Sequence, residues 1–227
     1  MHLQPTRYSG KSLPFWLLGL LGLLGLALII AGALLSQRVF YNPPPVPEMS
    51  PGTTRLEPPR VLQDFAALDH RGRTFTLAQL RDHWTFMFFG YTHCPDICPT
   101  TLSTLNAVAR KIAALPNTPP TPQYVFVSID PERDTPELLA KFVPYFNPDF
   151  IGVTGTPAAI DALAKQLSVL YLKVESERPD GYLMDHSAAL LLIDPQGRLH
   201  ALMSPPFDTN LMAQDFQKLS HYYEAIQ

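Results

Sequence analysis

The sequence predicts an α/β domain, with a mixed central sheet between helices, preceded by one membrane-spanning helix. Three observations predict it. An uninterrupted apolar block lies near the N-terminus. Strand and helix patterns alternate through the rest of the chain and are flanked by hairpins. A reactive cysteine pair sits where a buried strand gives way to a helix.

The apolar block, "FWLLGLLGLLGLALIIAGALL", runs from Phe15 to Leu35 and contains only apolar residues and glycine. About 20 such residues cross the ~30 Å hydrocarbon core of a bilayer. A cleaved secretory signal has the same basic-then-apolar order, and "AGA" at 31–33 offers small residues for cleavage. Signal cores usually run only about 7–15 residues, so the length favours an uncleaved anchor over 14–36. Arg7 and Lys11 precede it, which predicts a short cytoplasmic N-terminus, 1–13, with the rest of the chain exported.

Residues 42–59, "NPPPVPEMSPGTTRLEPP", hold seven of the 24 prolines and show no apolar periodicity. They predict a semi-rigid tether over 37–59, with the folded domain beginning near Arg60 and running to the C-terminus. The formal charge is −3, and residues 1–38 carry +3, leaving −6 for the remainder. An acidic domain lacks the clustered Lys and Arg that bind phosphate backbones, which argues against nucleic acid as a partner.

Within the domain, "VLQDFAALDHRGRTFTLAQL" alternates around a turn near Gly72 and reads as a hairpin. "HWTFMFFGY", 83–91, is nearly all apolar and suits a strand buried on both faces. Leu102, Leu105, Val108, Ile112 and Leu115 recur every three or four residues, the stripe of an amphipathic helix. "QYVFVSID" is a second buried strand. "DTPELLAKF" and "TPAAIDALAKQL" open helices with Thr-Pro starts at Thr135 and Thr156. "DFIGVTG" and "SVLYLKVE" read as strands. "AALLLIDPQGRLHAL" reads as a hairpin turning at Pro195–Gly197, and an amphipathic helix starts near Asp208.

The two cysteines of the chain, Cys94 and Cys98, both lie in "YTHCPDICPT". Pro99 is a residue for the first helical position, which puts Cys98 at a helix N-terminus, where partial positive charge favours a thiolate. Pro95 and Pro99 stiffen the loop. Two inert core cysteines have no reason to pair at such a junction. A structural disulfide across so small a loop removes little unfolded-state entropy. Chemistry remains, as redox exchange or metal binding. The C-x-x-x-C spacing departs from the C-x-x-C of common redox centres, and two cysteines fall short of a four-ligand zinc site. Two thiolates and one histidine suit a soft ion such as Cu(I).

"FGYTHCPDICPTTL", "VSIDPERDTPELL", "GVTGTP" and "DHSAALLLIDPQGR", in this order, resemble the SCO/SenC family of copper chaperones over roughly residues 60–225. The resemblance implies a thioredoxin-like domain on a single-pass anchor in the inner (plasma) membrane. The domain would face the periplasm, or the mitochondrial intermembrane space in a eukaryote. It also implies copper, as Cu(I) or Cu(II), held by Cys94, Cys98 and His186. The acceptor it implies is subunit II of cytochrome c oxidase or another copper acceptor. Two other activities stand beside this one. In the first, Cys94 and Cys98 form a redox disulfide that reduces the acceptor's cysteines. In the second, a thiol peroxidase, a cationic partner for the cysteine is required, and no arginine stands in the loop.

His186 stands just ahead of the apolar run Ala188–Ile193, with Ser187 between, which fits a ligand entering from a strand. His93 is a distant rival, since adjacent side chains diverge. His70 and His221 are assigned no role. Asp185 and Asp96 could orient the imidazole or tune the site, and "DPERD", 130–134, reads as a strand end and helix cap.

Overall fold

The computed structural model describes residues 15–40, 44–116, 119–176 and 181–227. The chain divides into two units, Met1–Pro45 and Val46–Gln227. In the first, helix α1 spans Phe15–Phe40. Its segment Phe15–Ser36 has a mean hydropathy of 2.6 and is long and apolar enough to cross a membrane. Residues 1–13, expected to be cytoplasmic, lie outside the described residues.

The second unit is the expected thioredoxin-like α/β fold. Its strands are β1 (Thr53–Val61), β2 (Ala66–Asp69), β3 (Thr74–Thr76), β4 (Thr85–Gly90), β5 (Gln123–Ser128), β6 (Ile151–Thr154), β7 (Tyr171–Glu175), β8 (Tyr182–His186), β9 (Leu190–Ile193) and β10 (Arg198–Met203). Helices α2 (Ile97–Ala113), α3 (Pro136–Phe146), α4 (Pro157–Gln166) and α5 (Thr209–Ala225) complete it. Eight strands form one sheet in the order β1-β10-β9-β4-β5-β6-β2-β3. β4, β5 and β6 are parallel, and β9 lies antiparallel to β4 on its other side. All six residues of β4 are buried, as the apolar run requires. Thr135 and Thr156 cap α3 and α4 through bonds from the amides of Leu138 and Ala159, each with its proline at the helix start.

Two parts of the chain depart from the sequence reading. The tether does not extend to residue 59, because residues 53–61 are the edge strand β1, paired antiparallel to β10. Prolines are tolerated on an edge, where a missing N–H removes no ladder bond on the solvent side. The register shifts between Arg55 and Arg60, around Pro58 and Pro59. Upstream, the amide and hydroxyl of Ser50 donate to the buried carboxylate of Asp215 in α5. Lys218 donates to the carbonyl of Glu48. The folded domain therefore begins well before Arg60. The second departure is β8, which pairs only with β7 to form a separate two-stranded ribbon.

The two anticipated hairpins share one device. In "DHRGR" and "DPQGR" the first aspartate accepts two backbone amides of the turn and the Nε–H of the arginine four residues on. The glycine between them, Gly72 or Gly197, has φ of +73° or +74°, a region that L-residues with a Cβ avoid. The carboxylate satisfies amides that the tight turn leaves without ladder partners.

Candidate metal centre

The site stands at the carboxyl end of β4. Gly90 ends that strand, and residues 91–96 turn into α2. The helix starts at Ile97, so Cys98 is its second residue and Pro99 its third, two positions later than the proline rule suggests. A proline in the first turn still removes only an N–H that has no partner within the helix. β9 runs antiparallel to β4 with Leu190 opposite Phe88. The segment entering β9 therefore arrives at the end of β4 from which the cysteine loop departs. This topology joins residues 88 positions apart: His186 Nε2 lies 3.3 Å from Cys98 Sγ.

Cys94, Cys98 and His186 each present one donor atom, and the three atoms lie within 4.8 Å of one another. Among the described residues this is the one cluster of at least three His, Cys, Asp or Glu able to hold an ion in this way. Both thiols are free. Cys98 is completely buried and forms the floor, while Cys94 and His186 are half-buried at the rim. Gly90 makes room for that floor. A Cβ there would lie 2.9 Å from Cys98 Sγ and 2.9 Å from Phe126.

The helix N-terminus favours Cys94 rather than Cys98. The Cys98 amide donates to Cys94 Sγ at 3.3 Å. A hydrogen bond from the Cys98 thiol brings the Cys94 pKa down to about 4. Burial opposes this, and the amides of Asp96 and Cys98 assist it. Cys98 moves the other way, pushed up by its bond to Cys94 and by burial. One proton is thus shared by a coupled pair, with the charge resting on the more exposed sulfur.

The imidazole is held in one tautomer. Nδ1 lies 3.0 Å from the Ser187 carbonyl. A carbonyl can only accept, so Nδ1 carries the proton and the Nε2 lone pair faces the sulfurs, as a metal-binding histidine requires. The rings of Phe88 and Tyr91 pack edge-on against it at 5.9 and 6.2 Å.

Asp185 does not orient this ring. Neighbouring strand residues face opposite ways, and Asp185, exposed, pairs across the ribbon with Leu172. Asp96 sits at the N-cap of α2 without a side-chain capping bond. His93 turns away from the cluster toward Thr92, 3.1 Å, and Asp134, 3.8 Å. His70 accepts the Gly152 amide and pins the β2–β6 edge.

The sequence reading left "DPERD" as a strand end and helix cap, and it does more. Asp134 is fully buried and accepts from the Thr92 amide at 2.9 Å, the Thr92 hydroxyl at 2.5 Å and the Ser128 hydroxyl at 2.6 Å. It fixes the loop two residues before Cys94. Nothing in the sequence spacing signals a bond that spans 42 positions.

A sequence model of the SCO1/SenC family matches residues 53–221. The chain is similar to the human mitochondrial protein SCO2 homolog, with 42% identity over 134 residues, covering 59% of this chain and 50% of the relative. It spans about half the length of the mammalian relatives it matches. Among solved structures it is similar to Arabidopsis thaliana ScoI with copper bound, with a TM-score of 0.66 and 33% identity, covering 70% of this chain and 98% of that one. It is also similar to yeast Sco1 with copper bound, with a TM-score of 0.65 and 28% identity, covering 70% and 88%. With its family match spanning the whole sheet and the Cys–Cys–His cluster, this chain belongs to the SCO1/SenC family.

Proposed function

We propose that the protein is a membrane-anchored copper chaperone that binds one copper ion through Cys94, Cys98 and His186. In this reading it delivers the ion to a copper centre of cytochrome c oxidase, with subunit II as the acceptor. The observation that carries the reading is the convergence of two sulfurs and one imidazole nitrogen within 4.8 Å. Soft thiolates select Cu(I), and an imidazole completes a low-coordinate site. Binding deprotonates both thiols, so the second proton leaves Cys98 only when metal replaces it. The half-exposed rim lets an acceptor's ligands reach the ion, and transfer proceeds by ligand exchange. Helix α1 would hold the domain at the inner membrane, with the N-terminus cytoplasmic and the domain in the periplasm or the mitochondrial intermembrane space.

Anaerobic Cu(I) titration of the reduced full chain in detergent tests this. The expected result is one equivalent per chain, with loss of both free thiols. His186→Ala is expected to weaken binding at least tenfold while leaving disulfide exchange largely intact. Unchanged copper affinity in that variant would remove the imidazole from the ligand set.

A second reading, thiol–disulfide exchange, is favoured by the low pKa and partial exposure of Cys94. The Cys94 thiolate would attack an acceptor disulfide, forming a mixed disulfide and releasing one acceptor thiolate. The Cys98 sulfur would then attack Cys94, releasing the second thiolate and closing a Cys94–Cys98 disulfide. Two electrons pass to the acceptor, and the spent disulfide requires an external thiol reductant.

A further inference from the structure

The donor set is assembled from two separately supported parts. Cys94 sits on the loop between the main sheet and α2, and Cys98 in the first turn of α2. His186 ends β8, in a ribbon that pairs with no strand of the main sheet. An imidazole on such an arm is placed by whatever fastens the arm.

Beside the Tyr171 hydroxyl, which donates to Asp161 of α4, the side-chain fastening of the ribbon falls on the loop 130–134. The Tyr182 hydroxyl, at the start of β8, donates to Asp130 Oδ1 at 2.8 Å. The Arg133 guanidinium lies 3.6 Å from the centroid of the Tyr182 ring and donates to the Tyr182 carbonyl at 3.2 Å. Its Nε–H also bonds Asp130, which is buried. Lys173 of β7 lies 3.7 Å from the same ring centroid and pairs with Glu132 at 3.5 Å. Arg133 also reaches the Tyr91 ring, at 5.8 Å, beside His186. The last residue of the same loop is Asp134, which anchors Thr92 and through it the cysteine loop. Four of the five residues of this loop thus grip both halves of the donor set.

We propose that the Asp130–Asp134 loop is the positioning frame of the metal centre, with Arg133 and Asp130 holding the His186 arm at the reach that Asp134 sets for the cysteines. Arg133, Asp130 and Tyr182 are positioning residues, because none supplies a donor atom to the cluster. The proposal rests on the copper reading above. Outer groups that orient a metal-binding histidine typically change metal affinity by about 10–100-fold. Release of the arm would leave the two sulfurs in place and withdraw the imidazole.

The test is a double-mutant cycle on the full chain in detergent, reading Cu(I) affinity by competition with a chelator and Cys94 alkylation rate. Arg133→Gln is expected to raise the Kd about tenfold or more in the native background and to change nothing further in His186→Ala. Tyr182→Phe keeps the ring and its cation contacts, loses only the bond to Asp130, and is expected to give a smaller loss with the same dependence on His186. It serves if Arg133→Gln does not fold. Asp134→Asn acts on the cysteine half and is expected to weaken copper binding in both backgrounds. No loss from Arg133→Gln or Tyr182→Phe, or an equal loss with and without His186, overturns the proposal. If His186→Ala itself leaves copper affinity unchanged, the copper reading fails first and takes this proposal with it.

Discussion

His186 Nε2 and Cys98 Sγ stand 3.3 Å apart although 88 residues separate them in sequence. The contact exists because β9 returns antiparallel along β4, whose end launches the cysteine loop. The floor of that contact is tightly filled, and its tolerance can be measured.

Gly90→Ala places a methyl group 2.9 Å from both Cys98 Sγ and a ring carbon of Phe126, and 3.2 Å from Phe88. All three neighbours are buried and cannot swing into solvent. Overpacking of this kind costs about 1–3 kcal/mol. Urea unfolding should show that loss, and copper titration should show weaker binding because Cys98 is displaced. Native stability together with native copper affinity would contradict the packing described here.

The two thiols should react on different pH scales. With the Cys94 pKa brought down to about 4, its thiolate is fully formed at about pH 6, where an ordinary cysteine of pKa ~8.5 is almost all thiol. Iodoacetamide is therefore expected to modify one cysteine at a rate that stays flat between about pH 6 and about pH 8. Cys98, buried and with its pKa raised, should stay unmodified until the chain unfolds. Peptide mass spectrometry reads both.

A fragment of residues 60–227 should be less stable than one of 46–227. It loses nearly all of β1, the Ser50–Asp215 bonds and the packing of Met49 and Leu56 against the core. Asp215 would then be buried without the Ser50 donors, at a cost of about 1–3 kcal/mol from the lost bonds alone. Thermal unfolding of the two fragments compares them directly, and equal midpoints would count against β1 as part of the fold.

The hairpin aspartates predict the acid side of the stability curve. Burial raises the pKa of Asp69 and of Asp194, but the Arg73 and turn-amide bonds at Asp69, and the His200 and Arg198 bonds at Asp194, outweigh it and hold both below the ordinary carboxyl value of 3.8. A folded pKa below the unfolded one adds stability above the unfolded value, and that stability is lost as pH falls through the folded value. Asp194→Asn should therefore lower stability at neutral pH by about 1–3 kcal/mol. It should also flatten the decline below pH ~4. Unfolding free energies at several pH values check both signs.

Much of this molecule is legible in its sequence. The Thr-Pro helix starts, the glycines of the two turns and the apolar run of β4 each report a local requirement. The cysteine pair announces chemistry by its place at a strand–helix junction. What stayed hidden is non-local. β1 is masked by Pro58 and Pro59, which only an edge position tolerates. β8 is a five-residue strand whose sole partner is β7, so no alternation with a main core marks it. The roles of Asp134 and Arg133 depend on contacts 42 and 49 positions away. Ser187 acts through its carbonyl, which no side-chain pattern can reveal.

The unequal depth of the two sulfurs gives the centre a direction. Whatever approaches from solvent, metal donor, metal acceptor or foreign disulfide, meets Cys94 and the imidazole before Cys98. A bound ion would leave by surrendering its rim contacts first and its innermost sulfur last, and a mixed disulfide could form only at Cys94. On the proposed function both traffics would share one doorway, so a chain carrying copper would be closed to disulfide exchange, and an oxidised chain would be closed to copper.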